Sequence, residues 1–143
     1  MWLLTIAAIC SGLFAGAAIY VNAVEHPARR ACGTETAIRE FGPSYHRAAI
    51  MQALLAIGAC AAGFGAAWLV NDAWIALGAV LVGIVVPFTL IVIRPINQRL
   101  LDPDLDPHDA KAGDLLTRWG RLHAVRSVAS AAAFVLFLVR LGL

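Results

Sequence analysis

The chain alternates between long apolar runs and short polar ones, and the runs have the length of membrane helices. Met1 to Val24 has no charged residue, and Ala48 to Val70 is rich in Ala and Gly. Ala73 to Ile93 follows after only Asn71 and Asp72, and Ala124 to Leu143 carries just Arg126 and the near-terminal Arg140. About 20 apolar residues of helix cross a hydrocarbon core of roughly 30 Å, so each run is long enough to span. Membrane strands would alternate apolar and polar residues, whereas these runs are apolar all round with small residues at helical spacing. The pattern predicts an all-α fold, an integral membrane four-helix bundle. It forms a single domain over residues 1–143, with helices at about 1–26, 44–70, 73–94 and 107–143.

Composition agrees. Of 143 residues 61% are hydrophobic and the mean hydropathy is +0.79, well above the roughly half apolar content of soluble domains. Met1 to Val24 lacks the positive n-region and short apolar core of a secretory signal, so it reads as a retained helix. Cys10, Cys32 and Cys60 have no CxxC or other ligand spacing, which argues against zinc, a disulfide framework and thiol redox chemistry. The net charge of +2 gives no reason to expect a nucleic-acid partner, because the basic residues flank membrane segments.

The placement of those residues carries more. Of eleven Lys and Arg, four (Arg29, Arg30, Arg39, Arg47) fall between the first two runs, six fall from Arg94 to Arg126, and the Asn71-Asp72 connection has none. The positive-inside rule then puts the two longer connections in the cytoplasm and both termini outside, in a multi-pass protein of a bacterial-type plasma membrane. In the third connection, Asp106 followed by Pro107 has the form of an N-cap and first helical residue, which predicts that the fourth helix starts near Pro107. The neighbouring Asp102, Asp104, Asp106, Asp109 and Asp114 read as a solvated segment rather than a cation site.

Polar residues inside the runs gather at the end that this topology makes cytoplasmic. Trp119, His123 and Arg126 fall within an arc of about 60° on a helical wheel, while Arg118 and Arg121 belong to solvent or headgroups. Small residues mark helix interfaces, and Ser11, Ala15 and Ala18 lead down the first helix to Asn22, Glu25 and His26, where Pro27 ends or kinks it. Tyr45 and Gln52 share a face of the second helix with Ala49 and Ala56. On the third, Arg94 and Asn97 align with Pro87 and Leu90. If each stripe faces the bundle axis, these residues surround one cytoplasm-facing cavity. Interfacial anchoring and interhelical hydrogen bonding explain Trp119, Tyr45 and Asn22 equally well. Intramembrane His123 and Arg126 point more strongly to function.

Three motifs occur in order: "EHP" after the first run, "RPINQRL" after the third and "RWGRLHAVRS" leading into the fourth. From Gly12 to about Ala132 the chain resembles the anthrone oxygenase-like family of small four-helix membrane proteins, most specifically in Pro95-x-Asn97 and in the spacing of Trp119, His123 and Arg126. The resemblance implies an oxidation by O2 of a hydrophobic polycyclic aromatic such as an anthrone, in principle without a redox cofactor. On that reading His123 or His26 is the base, with Glu25 orienting an imidazole. Arg94, Asn97 or Arg126 holds the developing enolate oxygen, and Trp119, Tyr45, Gln52 and Asn22 line the substrate pocket.

Two other readings stay open from the sequence. His26 and His123 with Glu25, and less readily His46, form a donor set for a metal or haem, without the spacing of a known motif. Alternatively the protein is a non-catalytic lipid- or quinone-binding or accessory subunit, its Ala- and Gly-rich helices packing within a homo-oligomer or against a membrane partner. A transporter fits poorly, since the polar residues stop at one side of the bilayer.

Overall fold

A computed structural model describes residues 1–142. It is all-α, with four helices long and apolar enough to cross a membrane: Trp2–Ala31, Thr34–Val70, Ala73–Leu100 and Ala110–Leu141. Each packs mainly on its chain neighbours, and the first closes the ring against the fourth. Alanine permits the close approach: Ala7, Ala18, Ala56, Ala59, Ala79 and Ala133 are fully buried between helices.

The interior divides in two. Towards the Asn71-Asp72 connection, Leu4, Phe14, Ile75, Val82 and Phe137 pack among the alanines. Towards the two other connections, Val21, Phe41, Ile93, Ile96, Leu100, Leu116 and Trp119 form a second core. The Phe137 ring fits because residue 78 is Gly; a Cβ there would stand 2.7 Å from it.

The Asn71-Asp72 connection is capped from both sides. Asn71 adopts the left-handed conformation (φ 52°) that ends the second helix, and Asp72 accepts hydrogen bonds from the N–H groups of Trp74 (2.8 Å) and Ile75 (3.2 Å). Asp72 also pairs with Arg140. Desolvation works to raise the Asp72 pKa, but the two backbone donors and Arg140 outweigh it and hold the group below its ordinary 3.8. A carboxylate depressed on folding stabilises the fold above its unfolded pKa and loses that contribution as pH falls through the folded value. The melting temperature of wild type in detergent should therefore exceed that of Asp72→Asn at neutral pH, with the gap closing only below pH 3.8. A gap independent of pH down to full protonation would contradict this role.

Four boundaries depart from the sequence pattern. The third helix runs on to Leu100 rather than ending near residue 94. The second helix begins at Thr34 rather than near residue 44, because Gly33 at φ 96° makes the turn in place of a longer loop, and Pro43 is carried inside the helix. The fourth begins at Ala110 with Asp109 as its N-cap, accepting from Lys111 N at 3.0 Å. Asp106 instead closes a turn onto His108 N at 2.9 Å. Pro27 does not end the first helix. Pro27 and Pro95 each follow, by two residues, a π-helical turn, Val21–Glu25 and Thr89–Ile93. Proline lacks an N–H and crowds the carbonyl four residues back. A widened turn at that place relieves the crowding and lets the helix continue.

Candidate functional site

Where the two cores meet they leave a cavity of about 190 Å³. Its walls are mostly apolar, from Phe14, Val21, Phe41, Ala56, Val85 and Trp119. Tyr45, Gln52, Asn97, His123 and Arg126 add the polar groups. An apolar pocket with a few convergent polar side chains is the usual form of a small-molecule site.

The first π-helical turn puts Asn22 against the fourth helix. Its Nδ2 donates to the Gly120 carbonyl at 2.9 Å, which fixes the amide's orientation because a carbonyl only accepts. Its Oδ1 is thus the acceptor for both Ser127 Oγ (2.7 Å) and His123 Nδ1 (2.6 Å). A neutral His123 that donates from Nδ1 carries its lone pair on Nε2, and the residue forms part of the cavity wall.

On the same face, Arg126 donates to Gln52 Oε1 at 2.7 Å and lies over Phe14, 5.4 Å from the ring centroid. It makes no ion pair among the described residues. Trp119 is held by Asn97, whose Oδ1 accepts from Nε1 at 2.8 Å, and its ring stacks on His123 with centroids 4.7 Å apart. Phe41 meets Trp119 edge-on at 5.3 Å and stacks on Tyr45 at 5.8 Å. The aromatic side of the cavity is therefore a fixed set of three rings.

Other expected site residues lie elsewhere. His26 is buried outside the cavity lining: Nε2 donates to the Leu116 carbonyl at 3.0 Å, and the ring rests on Gly120 and beside Trp119, centroids 5.0 Å apart. Glu25 orients no imidazole. Arg29, one turn further on, pairs with it, and Ser44 Oγ donates to it at 2.6 Å, so the orienting groups are the Leu116 carbonyl for His26 and Asn22 for His123. Arg94 is exposed rather than turned inward. The π-helical turn Thr89–Ile93 breaks the constant 100° spacing on which its alignment with Leu90 rests. His46 is exposed and Asn22 acts from behind His123.

The sequence pattern missed Phe14, Ser44, Thr89 and above all Arg29, which line the cavity, and Ser127, which shares Asn22. Arg29 is 6% exposed, and its Nε lies 2.7 Å from Glu40 Oε2 at an angle too poor for a hydrogen bond. The available signal was the four-residue spacing of Glu25 and Arg29, which makes sense only if the helix runs on past Pro27.

Among the described residues no group of three or more His, Cys, Asp or Glu is placed to hold a metal ion. His26, His123 and Glu25 are not gathered into one donor set: Glu25 is ion-paired with Arg29, and of the three only His123 lines the cavity.

A family model described as anthrone oxygenase matches residues 41–136, a span that includes Tyr45, Gln52, Asn97, Trp119, His123 and Arg126. Comparison with curated proteins gives no match, nor does comparison with solved structures.

Proposed function

The chain belongs to the anthrone oxygenase family, and from that premise we propose that it is a membrane-embedded, cofactor-independent oxygenase acting on a flat, apolar, anthrone-like ring system with O2. The observation that carries the reading is the Asn22 lock on His123, which leaves Nε2 as the free base on a cavity wall beside an unpaired guanidinium.

The ring substrate stacks among Trp119, Phe41 and Tyr45. His123 Nε2 takes one proton from the methylene between the rings, and Arg126, steadied by Gln52, holds the oxyanion of the resulting enolate. The electron-rich carbon reduces O2 and forms a C–O bond, giving a peroxide anion. His123 returns its proton to the outer oxygen to make the hydroperoxide, and the freed Nε2 then takes the remaining hydrogen on carbon as the C=O forms and the O–O bond breaks, passing that proton to the departing hydroxide to give water. One oxygen of O2 ends in the quinone carbonyl and the other in water, so protons and electrons balance. Trp119, Asn97 and Asn22 position; His123 and Arg126 act.

The arginine distribution supports a cytoplasmic placement for the two arginine-bearing connections and the site beside them, with both termini outside a bacterial-type plasma membrane. The partners on this reading are the ring substrate, O2 and the bilayer.

Protein in detergent, supplied with 9-anthrone, is expected to consume one O2 per anthrone, to release anthraquinone, and to do so undiminished after treatment with a strong chelator. No uptake above the buffer rate would overturn the proposal, and loss of uptake with the chelator would replace it by a metal-dependent reaction.

A further inference from the structure

Among the described residues that line the cavity, only two are exposed: Ala53 on the second helix and Leu90, 56% exposed, on the third. The end towards the Gly33 turn and the 101–109 connection is closed by buried Arg29, Phe41, Asn97 and Trp119. The opposite end is closed by Phe14, Ala56 and Val85. The mouth is therefore lateral. The second and third helices are closely packed over Ala73–Gly83 and more loosely beyond it, at Val85–Phe88 and Arg94–Leu100, while the turn Thr89–Ile93 between those segments packs on the fourth helix.

The depth of this mouth identifies what it opens onto. At 1.5 Å per residue, Ala53 and Leu90 both lie about 25 Å along their helices from the Asn71-Asp72 connection, inside a hydrocarbon layer of roughly 30 Å. The neighbouring surface is apolar as well: Ile50, Leu54 and Ile57 on the second helix and Ile91 on the third are all more than half exposed. On the second-helix side the rim is built from Ala49 and Ala53, with no long side chain to obstruct a ring.

We infer that the ring substrate enters the cavity sideways from the lipid, through a mouth between the second and third helices bounded by Ala53 and Leu90. This rests on the proposed role of the cavity as a ring-binding site. It adds that the ligand class is a neutral or weakly amphiphilic aromatic that partitions into the bilayer before it binds. The polar groups, Arg126 and His123, are met only after the ring has entered.

Two measurements test the mouth. Trp2, Trp68 and Trp74 are exposed, so replacing them with Phe leaves Trp119 as the only tryptophan, a reporter in the cavity wall. In liposomes, 9-anthrone or anthraquinone dissolved in the same bilayer should quench Trp119. Ala53→Phe in this single-tryptophan parent should slow the quenching at least tenfold, whereas Ile57→Phe, one turn away on the lipid face, should leave it unchanged. A nitroxide on Ala53→Cys, with Cys10, Cys32 and Cys60 replaced by Ala, should collide with O2 and not with a water-soluble nickel chelate. Equal quenching rates in Ala53→Phe and the single-tryptophan parent, or a nitroxide relaxed by the nickel chelate, would overturn lateral entry. The same quenching run in His123→Ala separates the two proposals. Slow entry in Ala53→Phe with fast entry in His123→Ala supports the mouth whatever the chemistry. No quenching in the parent protein sinks the ring site itself, and the nitroxide result still decides where the mouth opens.

Discussion

Replacing His123 by alanine should lower kcat for anthrone oxidation by about 10²- to 10⁴-fold, the usual contribution of a positioned general base. The bilayer interior offers no substitute, because water at bulk concentration is not present to take the proton. The affinity for the ring should change less, since Phe41, Tyr45 and the Asn97-held face of Trp119 remain in place. Imidazole added to His123→Ala should recover part of the rate by occupying the vacated volume. A merely structural histidine would show no such rescue. Asn22→Leu gives the complementary result. It keeps the base but removes the acceptor that fixes its tautomer and leaves the Gly120 carbonyl and Ser127 hydroxyl without their partner, so kcat should fall while KM stays close to wild type. Full turnover by His123→Ala in matched detergent would remove His123 from the mechanism.

Four spans can be read from the sequence because lipid leaves a backbone little choice: a run that is apolar all round and about 20 residues long must be a helix. The face of the fourth helix can be read for the same reason. Arg118 and Arg121 are exposed, while Trp119 and His123 are buried on a regular helix whose 100° spacing is not interrupted. The first and third helices defeat the wheel because each contains a π-helical turn. Nothing in "VNAVE" or "TLIVI" announces the extra residue per turn. The prolines two residues later are the signal, yet proline alone reads as a helix end. That single ambiguity hid Arg29, which needs the first helix to continue, and misdirected Arg94, which the widened turn rotates outward. The fate of Glu25 was hidden for a related reason. Sequence adjacency joins Glu25 to His26, whereas helical geometry joins Glu25 to Arg29.

Gly120→Ala should be the most disruptive single-methyl addition near the site. The new Cβ would stand 2.8 Å from both Cδ2 and Nε2 of His26, closer than side chains tolerate. The imidazole cannot yield freely, because its Nε2 donates to the Leu116 carbonyl and its other flank rests near Trp119. Either the ring gives up that hydrogen bond in a dry interior, or the first and fourth helices move apart. Overpacking alone costs roughly 1–3 kcal/mol and an unsatisfied buried polar group about 1–3 kcal/mol more. A loss of about 2–6 kcal/mol follows, visible as a lower melting temperature in detergent. Activity should fall as well, because the Gly120 carbonyl is the acceptor that orients Asn22 and so the tautomer of His123. The clash and the hydrogen bond can be told apart by adding His26→Ala. If contact with the ring is the cause, the double variant should be about as stable as His26→Ala alone, whereas additive losses would place the effect in the backbone of the fourth helix. A Gly120→Ala protein that melts with wild type would mean that the two helices have slack at this level. The positional control of His123 would then have to come from Ser127 rather than from the helix contact.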